Sequence, residues 1–448
     1  MKRIERALSA IRATRKGLGP ARLLLAAAVF HAAVTVAVFG LGRYGLLPGT
    51  FNRDGIAVSF APDGLKFQAA AVGLSEALRR GDFAGWANAN EPFHVKPYSI
   101  CFALFGGLAG TNVVSAEPLN VLYYLLILVL VFELGREAFG RRAGLLAAAA
   151  VALWPSLLIH TTQLLRDQLF LIGMLTYVLI LQRWLTRGHS WPGALLWGTA
   201  GGLAAAVVWL ARDNLAAIML AAALLGAGLL VARQLLERRA RPAALAGMAL
   251  TLALSVCVMK VVPTYQKPDN PNHPRPGGEE EIKAALSGTP WGRAAAYVAV
   301  TRHRFIRLYP DAGSNIDNDV QFNGLADILR YAPRAAAVGF FAPFPDMWFT
   351  SGKTVGSAGR LLVGVETLLM YLVEALAVYG LWSGRRRLSA WLLFLLSAVG
   401  MFALGLVVTN VGALYRIRYL FLILLMVLAA EGGARLLGRA RPAPECDT

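Results

Sequence analysis

Apolar runs close to twenty residues long recur along this chain, at roughly 22–42, 118–135, 143–160, 168–185, 192–210, 214–232, 243–262, 360–382, 389–409 and 415–434. A helix needs about 20 apolar residues to cross the ~30 Å hydrocarbon core of a bilayer, and these runs have that length. A soluble protein would break its apolar residues into short periodic faces and would carry more charge. Here 57% of residues are apolar, 16% are charged and the mean hydropathy is +0.54. The expected fold is an all-α polytopic membrane protein with about ten transmembrane helices.

Charge placement supplies a topology. Lys and Arg outnumber Asp and Glu by 44 to 26, a net +18 that in a soluble chain would suggest nucleic acid. The positive charges cluster instead in short segments between apolar runs. They fall at Arg136, Arg141 and Arg142; at Arg183 and Arg187; at Arg233, Arg238, Arg239 and Arg241; at Arg385, Arg386 and Arg387; and at Arg435, Arg439 and Arg441. Threading the ten runs alternately puts every cluster on one side, as the positive-inside bias requires, with both termini cytoplasmic and no nucleic-acid partner. The basic start of the chain (Lys2, Arg3, Arg6, Arg12, Arg15, Lys16) then precedes an uncleaved first span.

Two apolar stretches are excluded from the spans because counting them would invert later loops. Pro97–Gly110 and the proline-broken Tyr331–Pro345 read as juxtamembrane helices on or dipping into the outer face. The chain thus divides into an N-terminal membrane module 1–262 with a first outer loop 43–117, a large outer loop 263–359, and C-terminal helices with a short tail, 360–448. The large loop opens with a Pro/Asn/Gly-rich stretch, Pro268–Gly278, expected to be flexible. Cys101, Cys257 and Cys446 form no disulfide or zinc pattern.

Several motifs follow one another between Asp63 and Ala232. Asp63 follows the first span and opens a helix that closes on Arg80-Gly81-Asp82-Phe83. Glu91-Pro92-Phe93-His94-Val95-Lys96-Pro97-Tyr98 leads into an apolar helix ending at Phe105-Gly106. Glu117-Pro118-Leu119-Asn120 opens a span that closes on Glu133-Leu134-Gly135-Arg136-Glu137. Trp154-Pro155-Ser156 precedes Leu164-Leu165-Arg166-Asp167, and Gly201-Gly202-Leu203 precedes Arg212. In order and spacing these resemble the membrane-embedded GT-C glycosyltransferases that use polyprenyl-phosphate sugars, nearest the protein O-mannosyltransferases and aminoarabinose transferases. The resemblance covers about 40% of the chain, Asp63 to Ala232; beyond it only Tyr415-Arg416-Ile417-Arg418-Tyr419 resembles an Arg-Tyr feature of such enzymes.

The resemblance implies a transferase taking a sugar from a polyprenyl-phosphate donor among membrane lipids to a lipid, protein or glycan acceptor on the outer face; an Ala/Leu/Arg-rich chain with short inside loops suits a bacterial inner membrane, whose outer face is periplasmic. It implies Asp63 and Asp167 as catalytic carboxylates, either as two acids or as ligands of Mg²⁺ or Mn²⁺. It implies Lys96, Arg212, Arg416 and Arg418 as holders of the lipid phosphate, with Glu91 and His94 binding substrate. The residues alone admit plainer readings. Asp63 suits a helix N-cap, Asp167 suits a pair with Arg166, and the basic side chains suit snorkelling to an interface. In the large loop, Arg302, Arg304 and Arg307 suit either an anionic ligand or a solvated face. A polysaccharide ligase or polymerase and a lipid-linked sugar transporter are the competing functions. The first would place its essential residues in 263–359, and the second would show two related halves.

Overall fold

The computed structural model describes residues 19–48, 50–265, 279–286, 288–308, 310, 312–349 and 356–439. The basic segment 2–16, the stretch 268–278 and Cys446 lie outside the described residues. All regular structure among those described is helical, apart from isolated β-bridges. That follows from lipid as solvent, where each backbone polar group has to be paired within its own segment.

The first span is α1 (Pro20–Arg43), with proline at its first turn, where no N–H is missed. Four helices follow before the next turn at the basic end: α2 (Asp63–Arg79), α3 (Phe83–Asn88), α4 (Val95–Ala109) and α5 (Val113–Phe139). Asn112 caps α5, its side chain accepting from Val114 N at 2.9 Å. Helix α4 is too short to cross and leaves Leu104 and Leu108 exposed, consistent with a juxtamembrane helix.

The expected span 143–160 is broken. It consists of α6 (Arg141–Ala152) and α7 (Pro155–Thr161), bent by 69°. Pro155 has no N–H to continue the ladder, so the helix stops at Leu153 and restarts in a new direction. Next come α8 (Asp167–Thr186), α9 (Trp191–Arg212), α10 (Ala216–Glu237) and α11 (Pro242–Val261). The apolar stretch Trp191–Glu237 is 47 residues long and breaks at Asp213–Leu215. At ~1.5 Å per residue it would be about 70 Å long if straight, more than twice a bilayer core. Arg233 reaches back to the Trp184 carbonyl (3.5 Å), so α9 and α10 are separate crossings with their far ends on one side.

The second half comprises α12 (Glu279–Leu286), α13 (Pro290–Leu308), α14 (Leu325–Phe341), α15 (Gly356–Gly384), α16 (Leu388–Val407), α17 (Val411–Ile417) and α18 (Tyr419–Arg439). Among the described residues eight stretches are long and apolar enough to cross. The split of α9 from α10 and the bent α6–α7 pair bring this to the expected ten. Close helix approach relies on glycine, as is usual in membranes. A Cβ on Gly339 of α14 would overlap the Met401 carbonyl of α16, and one on Gly405 the Ala335 carbonyl.

The bundle has two unlike ends. At one, Arg387 donates to the Ala138 carbonyl (2.5 Å) and Arg187 pairs with Glu137. At the other, Val113 N meets Gly55 O (3.0 Å) and Arg360 meets Gly313 O (3.1 Å). The first outer segment and the large loop therefore share the end opposite the basic clusters.

Candidate active site

Four charged residues from distant parts of the chain meet at the loop end. Asp63 and Asp167 are each the first residue of a helix, α2 and α8, where the aligned peptide dipoles favour a negative charge. Arg212 is the last residue of α9, where they favour a positive one, and Arg416 lies in the last turn of the short α17. Asp63 is not a capping residue. The N-cap of α2 is Pro62, and no side chain caps the helix. That leaves the carboxylate to face Arg416, whose Nη1 is 3.5 Å from Asp63 Oδ2.

Arg416 bridges the two acids. Its Nη2 and Nε lie 2.7 and 3.1 Å from Asp167 Oδ2, while Arg212 holds Asp167 Oδ1. Burial is graded across the cluster: the Asp167 and Arg212 side chains are 9% and 6% exposed, Arg416 is 14% exposed, and Asp63 is 43% exposed. The interior pair is thus sealed and Asp63 opens to solvent. Asp167 does not pair with Arg166, as its position beside that residue suggested. Among the described residues the Arg166 side chain makes no hydrogen bond or ion pair, yet its charge acts on Asp167, Arg212 and His94. Two acids against three arginines leave one net positive charge, which suits a phosphate anion.

The loop beyond α13 sets the position of α17. Arg302 is 1% exposed and donates to the carbonyls of Val320 (2.9 Å), Leu406 (2.8 Å) and Asp317 (2.6 Å). This fastens the loop to the end of α16. Ile316 N then meets Thr409 O (2.8 Å) and Val411 N meets Ser314 O (3.0 Å), just before Arg416. Arg302 is therefore part of the scaffold, and Arg304 pairs with Glu279. Asp317 is held below the ordinary carboxylate range; burial opposes this, but Arg334 and Tyr331 outweigh it.

The other expected site residues lie at varying distance from the acids. Lys96 Nζ donates to the Ala87 carbonyl (2.6 Å) beside Trp86 and touches neither acid. His94 is buried edge-on against Phe67 (4.3 Å), and neither ring nitrogen has a partner. Burial, then the Arg166 charge, lower its pKa from 6.5 to about 3, so it is neutral. Glu91 is half-buried, which raises its carboxyl above the ordinary value. Arg418 turns away from the acids. It is 1% exposed, donates to the Ala342 carbonyl (2.5 Å) and lies over the Tyr415 ring.

The cluster does not fit a divalent metal. A hard cation takes about six oxygen ligands, whereas both Asp167 oxygens are engaged by arginines and Arg416 occupies the space between the two acids. Among the described residues no three His, Cys, Asp or Glu side chains are grouped to hold an ion.

One group was not anticipated. His160, on α7, lies between Phe60 (5.5 Å between ring centroids) and Tyr419 (5.7 Å), close enough for the charges of Arg416 and Asp167 to act on it. An ionisable residue inside an apolar run was the available signal.

No family model matches the chain, and no curated protein matches it in sequence. Among solved structures it is similar to the archaeal oligosaccharyltransferase AglB from Archaeoglobus fulgidus, in complex with an inhibitory peptide and a dolichol-phosphate. The TM-score is 0.50 at 15% identity, over 94% of this chain and 52% of that one. The apo form of the Archaeoglobus fulgidus oligosaccharyltransferase gives 0.48 at 14% identity, over 93% and 51%. ArnT from Cupriavidus metallidurans, bound to undecaprenyl phosphate, gives 0.35 at 15% identity, over 93% and 81%. By its likeness to the first of these the chain has a GT-C-like fold, that of an all-α, multi-pass membrane protein. It spans about half the length of the oligosaccharyltransferase it resembles.

Proposed function

We propose that this protein transfers a sugar from a polyprenyl-phosphate donor to a hydroxyl-bearing lipid, protein or glycan acceptor. The reaction takes place at the loop end of the bundle, which faces the periplasm of a bacterial inner membrane, with both termini cytoplasmic. The observation that carries this reading is the convergence of Asp63, Asp167, Arg212 and Arg416, with Arg166 left unpaired beside them. The orientation rests on the arginine clusters at the opposite end. The donor class is supported by the GT-C-like fold and by the dolichol-phosphate described with the similar oligosaccharyltransferase.

In this reading the acceptor oxygen attacks the anomeric carbon of the donor sugar. The bond from that carbon to the phosphate oxygen breaks, its electron pair leaves with the polyprenyl phosphate, and the acceptor proton passes to Asp63. Asp63 suits this task because it is half exposed and has a single long contact. Asp167, sealed and doubly engaged, is a positioning residue that aims Arg416 and Arg212. Arg166 and Lys96 supply charge to the departing phosphate.

The test is transfer from a panel of undecaprenyl-phosphate sugars by the purified protein in nanodiscs. Asp63→Asn should lower the rate about 10²–10⁴-fold, the usual contribution of general-base catalysis, with membrane insertion unchanged. A fully active Asp63→Asn protein would overturn the reading. Essential residues confined to 263–359 would favour a polysaccharide ligase or polymerase, although Arg302 and Arg304 are already engaged there. Movement of lipid-linked sugar without transfer would favour a transporter.

A further inference from the structure

The break at Pro155 directs α7 toward the acid cluster and brings with it a histidine whose tautomer its partners set. His160 Nδ1 is 2.7 Å from the Ser156 carbonyl oxygen, which can only accept, so Nδ1 carries the ring proton. The Tyr419 hydroxyl lies 2.9 Å from the same nitrogen and shares that proton as a second acceptor. Ser156 Oγ in turn donates to Glu366 Oε1 (2.5 Å), and Ser156 N donates to Glu366 Oε2 (3.0 Å). Glu366 is 2% exposed, an ionisable group within an apolar helix, and such groups are rare without a purpose. Tyr419 and Ser156, with Glu366 behind Ser156, thus hold one edge of the imidazole.

The other face remains open. Among the described residues Nε2 has no hydrogen-bond partner, and His160 is half-buried, whereas both ring nitrogens of His94 are sealed. In the neutral ring, with the proton on Nδ1, Nε2 holds a lone pair. It can accept a hydrogen bond, and it repels an anion. Arg166 does the reverse.

We propose that His160 Nε2 accepts a hydrogen bond from a substrate hydroxyl, on the donor sugar or on the acceptor, and that Tyr419 and Ser156, the latter held by Glu366, keep the ring in the orientation this requires. The assignment rests on the glycosyl-transfer reading and divides the site by chemistry: phosphate at Arg166, hydroxyl at His160.

The first arm of the test needs no substrate. Diethyl pyrocarbonate, which attacks the unprotonated imidazole nitrogen, is applied to the full chain in nanodiscs and the products are mapped by mass spectrometry. His160 should react and His94 should not; an unreactive His160 overturns the proposal whatever the protein does. The second arm uses the donor and acceptor found in the transfer assay. His160→Phe keeps a ring but has no lone pair, and it should lower kcat/KM about tenfold or more, the range for losing one recognised hydroxyl. His160→Gln, which keeps an acceptor oxygen, should lower it less, and Tyr419→Phe should fall between. A raised KM for the donor assigns the hydroxyl to the sugar, and a raised KM for the acceptor assigns it there. Thermal midpoints within a degree or two of wild type confirm that the variants fold. A His160→Phe protein with wild-type kinetics refutes the proposal. A wild-type protein that binds undecaprenyl phosphate and transfers nothing removes the glycosyl-transfer reading and this assignment with it.

Discussion

Arg416 holds the two acids together, so its removal should show how the cluster is built. Substituting methionine keeps the bulk of the side chain and deletes the contacts at 2.7 and 3.1 Å to Asp167 and at 3.5 Å to Asp63. The Asp63 contact is long and Asp63 is 43% exposed, so it contributes about 0–1 kcal/mol at most. The Asp167 contact is buried, and breaking such a pair costs about 3–5 kcal/mol. Because Arg212 remains on the other oxygen, the loss should lie near the lower bound, about 3 kcal/mol. The assay is a double-mutant cycle on equilibrium unfolding in bicelles, read by steric trapping. Arg416→Met with Asp167→Asn should show a coupling of about 2 kcal/mol or more, and Arg416→Met with Asp63→Asn below about 1 kcal/mol. Additive Arg416 and Asp167 effects, or the reverse ranking of the two cycles, would refute the view that Asp167 anchors Arg416.

Two further outcomes follow from burial. His94 stays neutral down to about pH 3 in the folded protein while the unfolded chain takes up a proton below about pH 6.5, so folding stability should fall as pH drops through that window. The slope is at most about 1.4 kcal/mol per pH unit. His94→Phe should flatten that part of the thermal-midpoint profile, and an unchanged profile would show that His94 protonates in the fold. Arg302→Ala leaves three carbonyls, that of Leu406 buried and those of Val320 and Asp317 partly so, without their donor, each bond worth about 1.5–3 kcal/mol when buried. Its melting midpoint should drop by several degrees and transfer should fall with it through α17, whereas Arg304→Ala, which loses one surface pair, should leave the midpoint nearly unchanged.

The architecture was legible because it is written in local periodicity. The apolar runs marked nine of the ten crossings almost at the helix bounds, and the arginine clusters ordered them. The tenth, 143–160, is a broken crossing, and Trp154-Pro155-Ser156 in its midst marks the break. Within the site, Asp63, Asp167, Arg212 and Arg416 were named as candidates and lie together. Their partners were not readable, since Arg416 meets Asp63 across 353 positions and Asp167 across 249. Sequence neighbours misled: Arg166 stands beside Asp167 but does not bind it. Arg418 stands two positions from Arg416, yet α17 ends between them and their side chains diverge. Lys96 and Arg302 look alike in sequence as outer-face cations, and only the fold shows that one lies half-buried against Trp86 and the other is sealed among carbonyls. Ser156 and Glu366, 210 positions apart, left no pattern to read.

A structure of the full chain in nanodiscs with undecaprenyl phosphate, determined by electron cryomicroscopy, would test most directly whether the acid–arginine cluster is where the lipid phosphate reacts. The account predicts the phosphate within hydrogen-bonding distance of Arg166, with the Asp63 carboxylate facing the same space and Asp167 still held by Arg212 and Arg416. A phosphate bound at the arginine-rich opposite end, or one out of reach of both Arg166 and Asp63, would contradict it.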